Sequence, residues 1–205
     1  MSRNKRRGQK KSKQLKNRNR ILLIVENSEE LFFNRYFKQF LAKDSIDIKC
    51  ERSGKAGNCD ITNGSRMSKI INDALDVEEY RAVFLMMDLK TKCHQSEQTH
   101  TCLLKLIQEY RPKYKVEQKS KFYLFVVCNE IESWFLTIDK KINNTNNVKE
   151  NHKAKLKKIL EVRSEPEIVD KIIEGLNSGK YQLDFSKNKS LQHFIKKLQE
   201  FNANL

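Results

Sequence analysis

The sequence contains no apolar stretch that approaches the ~20 residues needed to span a bilayer. The first apolar run, ILLIV, is only five residues long and leads directly into charged residues, which excludes a secretory signal. No lipidation motif or amphipathic stripe near the N-terminus supports a membrane-surface anchor. The sequence therefore predicts a cytoplasmic protein without a membrane partner, and its 205 residues suit one domain of ordinary size.

A disulfide framework is also missing from the sequence. The cysteines number five, which is odd, and their spacing is irregular. Without an export signal, reduced thiols in a cytosol are the simplest interpretation. The five positions are Cys50, Cys59, Cys93, Cys102 and Cys128.

Four zinc-capable side chains fall within ten residues of one polar segment, Cys93, His94, His100 and Cys102. Their spacing does not match a usual zinc-finger pattern, and part of the segment is expected to enter a helix. A structural zinc site and an incidental polar loop both stay open as interpretations, and a zinc measurement on the purified protein separates them.

Acidic residues are absent from the first twenty positions, which hold ten Lys or Arg. These ten account for two-thirds of the net charge of +15 and leave +5 for residues 21–205. Residues 1–19 are expected to be a disordered basic arm, because they cannot bury enough apolar surface to become ordered. The arm is either a solubilising leader or a nucleic-acid-binding element. The predicted contacts to nucleic acid from the arm are Arg3, Lys5, Arg6, Arg7, Lys10 and Lys11.

Apolar runs and helical periodicity alternate along the first ~140 residues. Continuous apolar runs at 21–26, 81–88 and 121–128 are typical of strands that are buried on both faces, and the alternating segment 45–51 resembles an edge strand. Amphipathic segments separate the strands. This order predicts an α/β fold with a mainly parallel sheet flanked by helices.

The remainder of the chain predicts helices only. An Asn-rich polar linker or mobile loop comes first, and three amphipathic patterns follow it. We therefore divide the chain into a basic arm at 1–19, an α/β domain at 20–140, and a linker with a C-terminal helical cap on the same domain at 141–205.

Carboxylates follow all three buried strands at their predicted carboxyl ends: Glu26, Asp88, and the pair Glu130 and Glu132. Ligands of open parallel sheets bind at this edge. Several buried carboxylates repel each other unless a cation compensates them, and oxygen ligands suit Mg²⁺ or Mn²⁺. Such a metal supports phosphodiester chemistry. The alternative is that acids stabilise helix N-termini, which is the preferred interpretation for Glu29 and Glu30.

Three short motifs resemble a known family. LLIVENSEELFF, FLMMDLK and CNEIESWFL are similar, in this order, to motifs of the small toprim-fold proteins of prokaryotic defence loci. These are the RloB-like and abortive-infection (AbiL-type) proteins, which are related to the toprim domains of OLD-family nucleases. The resemblance covers roughly residues 20 to 200 and includes a basic leader before the first strand. It implies a toprim-like, Rossmannoid sheet with a C-terminal helical extension.

The resemblance also implies a function and a site. It implies a metal-dependent nuclease in antiviral defence, often paired with an ATPase. Glu26 corresponds to the general acid/base or metal-ligand glutamate, Asp88 to the first metal-binding aspartate, and Glu132 to the acid that completes the metal site. Glu30 matches the second glutamate of the opening motif.

Two positions depart from the family pattern. Asn27 replaces a glycine, and Asn tolerates the backbone angles of a tight turn better than most residues. Lys90 replaces the second aspartate of the D-x-D motif. Either Lys90 acts in catalysis by contacting a substrate phosphate, or metal binding is lost and the protein is a catalytically inactive subunit that binds nucleic acid or a partner.

Two further features allow two interpretations each. Arg52 and Lys55 lie in a glycine-containing loop on the predicted side of the acids, where they either contact a phosphate backbone or form a solvated basic loop. Trp134 and Phe135, beside Glu132, either pack in the core or provide a stacking platform for a base.

Overall fold

The structure is a computed structural model, and it describes residues 20–26, 29–42, 47–54, 60–89, 103–147 and 149–203. Several predicted features lie outside the described residues. They are the basic arm at 1–19 with all its predicted nucleic-acid contacts, Asn27, Lys55, Lys90, and the zinc-capable set Cys93, His94, His100 and Cys102.

A four-stranded parallel sheet forms the centre of the molecule, in the order β2-β1-β3-β4. The strands are β1 at Arg20–Val25, β2 at Asp47–Arg52, β3 at Ala82–Asp88 and β4 at Phe122–Val127. Each differs by only one or two residues from its predicted range. This arrangement confirms the predicted fold class, an α/β parallel sheet flanked by helices as in Rossmannoid, toprim-like folds.

The two central strands, β1 and β3, contain the most continuous apolar runs. Ile21 to Val25 are all buried, and so are Ala82 to Met87. They pair directly, with Ile21 opposite Ala82. A strand between two neighbours and two helical layers has no solvent-facing side, so it reads as an unbroken apolar run.

Helices follow the strands and end the chain. Helix α1 consists of Glu29–Phe32, a π-helical turn at Phe33–Phe37, and Lys38–Ala42, and helix α2 is Gly64–Asn72 with a π-helical turn at Asp73–Val77. The others in the described part of the chain are α3 at Leu103–Tyr110, α4 at Glu132–Phe135, α5 at His152–Leu160, α6 at Glu165–Asn177 and α7 at Lys189–Ala203. Within the described ranges, no helix is long and apolar enough to cross a membrane.

The two faces of the sheet bury separate hydrophobic clusters. Leu22 and Leu85 point toward α2 and α3, where they join a cluster that includes Met67 and Leu106. Leu23 and Phe84 point to the opposite face, which α1 and α4 to α7 cover. This strict alternation along β1 and β3 gives a three-layer helix–sheet–helix molecule.

The C-terminal helices pack directly on the sheet. Phe194 of α7 makes ring contacts with Phe84 of β3, Phe125 of β4 and Trp134 of α4. Leu156 of α5 is fully buried in the same cluster. Residues 152–203 therefore cover one face of the sheet and form part of the same hydrophobic core.

Candidate carboxylate site

Glu26 and Asp88 meet at the carboxyl edge of the two central strands. Glu26 directly follows β1, and Asp88 is the last residue of β3, which pairs with β1. The backbone N–H of Asp88 donates a hydrogen bond of 3.0 Å to Glu26 Oε1. The Glu26 side chain therefore lies across the end of β3, as the sequence predicts for adjacent parallel strands.

The third group of acids reaches the same edge through a tight turn after β4. Asn129 has a φ of 68°, the left-handed region that Asn adopts more readily than most residues. Its buried amide Nδ2 donates to the carbonyl of Glu150 at 2.8 Å, which fixes the turn to the segment before α5. Glu130 then lies in the turn and Glu132 opens α4, where it is only 8% exposed.

Asp88 lies at the centre of this set of acids. Burial raises the pKa of Asp88 well above its ordinary value, and neighbouring carboxylates raise it further. Those carboxylates are, in decreasing order of effect, Glu26, Glu29, Glu132 and Glu130. Five acidic side chains therefore share one electrostatic environment at the carboxyl edge of the sheet.

Glu29, which the sequence predicts to stabilise a helix N-terminus, also belongs to this set of acids. It is the first residue of α1 and is 8% exposed, so it points into the protein. Glu30, next to it, instead forms a 3.0 Å ion pair with Arg52 at the end of β2. In the sequence, the burial of Glu29 is indicated only by its position directly before the apolar residues of α1.

Lys153 introduces a positive charge among the acids. Its Nζ lies 3.4 Å from Glu130 Oε1, 3.9 Å from Glu132 Oε1 and 3.3 Å from Glu165 Oε2. Burial alone lowers the pKa of Lys153, but these three carboxylates outweigh burial and the net pKa is raised. Lys153 is therefore an ammonium group held at the edge of the carboxylate site by the first turn of α5.

Glu132 has a pKa of about 7, compared with 4.5 for an ordinary glutamate. Burial raises this pKa most, Lys153 lowers it, and Glu130 and Glu29 raise it again. Glu132 is therefore present in both the protonated and the ionised form near neutral pH.

A buried hydrogen-bond network positions the turn that carries Glu130 and Glu132. Ser190 Oγ, in α7, accepts from the backbone N–H of Cys128 at 3.0 Å and from Trp134 Nε1 at 2.9 Å. The same hydroxyl donates to Asn188 Oδ1 at 2.7 Å. Asn188 Nδ2 in turn donates to Ser133 Oγ at 3.1 Å. The start of α7 therefore holds the β4–α4 turn on both sides of the two acids.

The donor chemistry of the site suits a hard divalent cation, because every acid in it offers carboxylate oxygens. As the described residues are placed, no three His, Cys, Asp or Glu side chains form a group that could hold a metal ion. Mg²⁺ needs only one or two direct carboxylates and keeps several waters. The carboxylates of Glu26 and Asp88, which interact electrostatically at the ends of the two central strands, are the candidates for such direct ligands.

Other predicted residues have clear positions. Arg52 lies at the carboxyl edge of the sheet, as predicted, but its ion pair with Glu30 engages its guanidinium. Trp134 and Phe135 are buried and contact aromatic rings of α1, which confirms the core-packing interpretation. Cys50 and Cys128 are buried thiols, and the remaining cysteines lie outside the described residues.

Comparison of the chain with protein-family models, with curated proteins and with solved structures found no match.

Proposed function

We propose that this protein is a metal-dependent nuclease of the toprim type that acts on nucleic-acid phosphodiesters in prokaryotic antiviral defence. Its expected location is the cytoplasm. The observation that carries the proposal is the group of five carboxylates, Asp88 and the four glutamates around it, at the carboxyl edge of a parallel sheet. Carboxylates that raise one another's pKa favour a cation, and polar catalytic sites of open α/β sheets lie at this edge.

The chain's own residues divide the work as follows. Glu26 and Asp88 would hold Mg²⁺ or Mn²⁺, which would stabilise charge on phosphoryl oxygens and activate water. Glu132, with a pKa of about 7, completes the ligand set when ionised and holds a proton when neutral. Lys90, the second residue after Asp88, neutralises the scissile phosphate. Lys153 neutralises part of the negative charge of Glu130 and Glu132 while no metal is bound.

A cleavage assay with DNA, RNA and tRNA substrates in Mg²⁺ or Mn²⁺ tests the proposal, with and without any ATPase encoded beside the protein. Glu26→Gln and Asp88→Asn should each abolish cleavage, because each removes a negative charge from the pair that binds the metal. Glu117→Gln is the matched control, since Glu117 is an exposed acid in the segment that enters the amino end of β4. Cleavage that survives in both site variants rules out the assignment.

A second function is supported by the charge that Lys153 brings to the site. An ammonium already 3.4 Å from Glu130 compensates part of the negative charge without a metal. On this basis the protein is a catalytically inactive subunit that binds nucleic acid or a partner. Calorimetry separates the two functions, because a pure binding protein shows no Mg²⁺ or Mn²⁺ binding that Asp88→Asn abolishes.

A further inference from the structure

The positive charge of the chain after the basic arm is concentrated in one segment. Residues 139–163 contain eight Lys or Arg and three acids, which gives a net charge of +5. Residues 21–205 as a whole also carry +5, so the rest of that part of the chain is electrically balanced. An uneven charge distribution of this kind produces a local positive potential that attracts polyanions.

The structure places this segment beside the carboxylate site. Helix α5 forms its centre, and Lys153 in the first turn of α5 reaches Glu130 and Glu132. Upstream of α5, the carbonyl of Glu150 accepts a hydrogen bond from Asn129, the residue before Glu130. The basic segment is therefore joined to the site at two points.

The solvent-facing side of α5 is basic, and its apolar side packs in the protein core. His152, Leu156 and Leu160 are buried against the rest of the protein. Lys155 and Lys158 are exposed, and Lys157 is half-buried. Lys155 pairs with Glu150, but across the described residues no ion pair joins Lys149, Lys157 or Lys158 to an acid.

We propose that a basic surface made of Lys149, Lys155, Lys157 and Lys158 binds the phosphate backbone of a nucleic acid and directs it across the carboxylate site. This inference rests on the proposed function, because it names the surface by which that site holds its substrate. It differs from the predicted contacts at Arg52 and Lys55. Arg52 is engaged with Glu30, whereas three of the four lysines of the basic surface have no acidic partner among the described residues.

A nucleic acid fits this surface better than an anionic membrane does. A helix that lies on a membrane buries an apolar face in the lipid. The apolar residues of α5 are in the protein core, and Ile159, at 38% exposed, is the one large hydrophobic side chain it presents to solvent within the described residues. A helix surface that exposes lysines and no apolar stripe is typical of phosphate binding, because phosphate contacts depend on charge.

The test compares two triple variants of the full-length chain that change the net charge equally. The first is Lys149→Gln, Lys157→Gln and Lys158→Gln on the basic surface. The control is Lys115→Gln, Lys119→Gln and Lys121→Gln, three exposed lysines in the segment that enters β4 from the amino edge of the sheet. Fluorescence anisotropy measures binding to duplex DNA and single-stranded RNA in EDTA between about 50 and 300 mM salt.

The basic-surface variant should flatten the slope of log K against log salt by about 2–3 units on duplex DNA and by about 2 on single strands. Its affinity near 0.1 M salt should fall at least roughly tenfold, and the control variant should lose less than about twofold. In a cleavage assay, the basic-surface variant should raise KM and leave kcat close to wild type, because its lysines bind substrate away from the reacting phosphate.

Equal losses in the two variants would overturn the inference, since binding would then follow net charge rather than this surface. An unchanged slope in the basic-surface variant would overturn it too. Binding to phosphatidylserine-containing vesicles is measured for the same variants. A basic-surface variant that loses vesicle binding but keeps nucleic-acid binding would also overturn the inference. Because binding is measured without divalent metal, it is independent of cleavage. Active Glu26→Gln and Asp88→Asn variants would overturn the nuclease assignment and leave the surface standing as a binding site.

Discussion

Individual acids of the carboxylate site oppose folding when they are ionised. Glu132 has a pKa of about 7 in the folded protein and 4.5 as an ordinary glutamate, so the folded state binds its proton more tightly. Between these two values the folded state holds more protons than the unfolded state. The free energy of unfolding must therefore decrease as the pH rises through this window, and the contribution of protonated Glu132 is fully lost above about pH 7.

The raised pKa of Glu132 makes the stability of the protein depend on pH. In metal-free buffer, wild-type stability should fall by roughly 2–3 kcal/mol from about pH 4.5 to pH 8 through this group. Glu132→Gln should remove this part of the decline, leave the part due to Asp88, and be more stable than wild type at pH 8. Urea unfolding at a series of pH values measures both effects, with Glu117→Gln as an exposed-acid control. Parallel pH profiles for wild type and Glu132→Gln would contradict the prediction.

Lys153 gives the second prediction at the residue scale. Its ammonium lies between Glu130 and Glu132, so it competes with any divalent cation for their oxygens. Lys153→Met keeps much of the side-chain length and removes the charge. We expect it to bind Mn²⁺ about tenfold more tightly, which corresponds to about 1.4 kcal/mol.

Lys155→Met is the matched control for that measurement, because Lys155 lies on the same helix and pairs with Glu150 rather than with a site acid. Isothermal titration calorimetry reports both affinities. An affinity of Lys153→Met equal to or weaker than that of wild type would show that the lysine supports cation binding rather than competing with it.

At the scale of elements, the strands could be predicted from the sequence and most of the carboxylate site followed from them. Continuous apolar runs located β1, β3 and β4, and the register of parallel strands then brought Glu26, Asp88 and Glu132 to one edge. These acids were predictable because each directly follows a strong local pattern.

Other parts of the site have no local signal. Lys153 is more than twenty residues beyond Glu130 in the sequence and belongs to a helix with several other lysines. Only the packing of α5 on α4 selects Lys153, and similarly Glu165 enters through the packing of α6. A lysine that contacts an acid across two elements is indistinguishable, in the sequence, from a solvated one.

The link between α7 and the β4–α4 turn provides the third prediction. Ser190→Ala removes the acceptor for two buried donors, the backbone N–H of Cys128 and Trp134 Nε1. Each buried donor left unsatisfied costs about 1–3 kcal/mol, so the variant should lose roughly 2–4 kcal/mol of stability. Chemical denaturation measures the change, and Ser120→Ala, at an exposed position, should stay within about 0.5 kcal/mol of wild type. A loss below about 1 kcal/mol would show that the network adds little.

For the whole molecule, charge is divided between the N-terminal arm and the remainder of the chain. Residues 1–19 contain nine Lys or Arg and no acid, whereas Arg20 belongs to β1 and pairs with Asp47 at 2.7 Å. If about six of the nine bind phosphates, they contribute a slope near −5 to log K against log salt on duplex DNA.

Deletion of residues 1–19 should therefore flatten that slope sharply and weaken binding evenly across sequences, since phosphate contacts carry no base information. Thermal stability should be nearly unchanged, because the arm contains almost nothing apolar to bury. Anisotropy and a thermal melt provide the two measurements. An unchanged slope would show that the arm does not bind the backbone, and a lowered melting temperature would show that it is part of the fold.

The packing of α7 has a consequence for synthesis on the ribosome. Phe194 covers Phe84 and Phe125 of the sheet, yet residues 189–203 are made more than sixty residues after β4. During translation the part of this face that α7 covers stays exposed until α7 has emerged, at about 5–20 residues per second. Nascent chains that stall after β4 should therefore bind chaperones or aggregate, whereas chains extended past residue 203 by a linker should become protease-resistant.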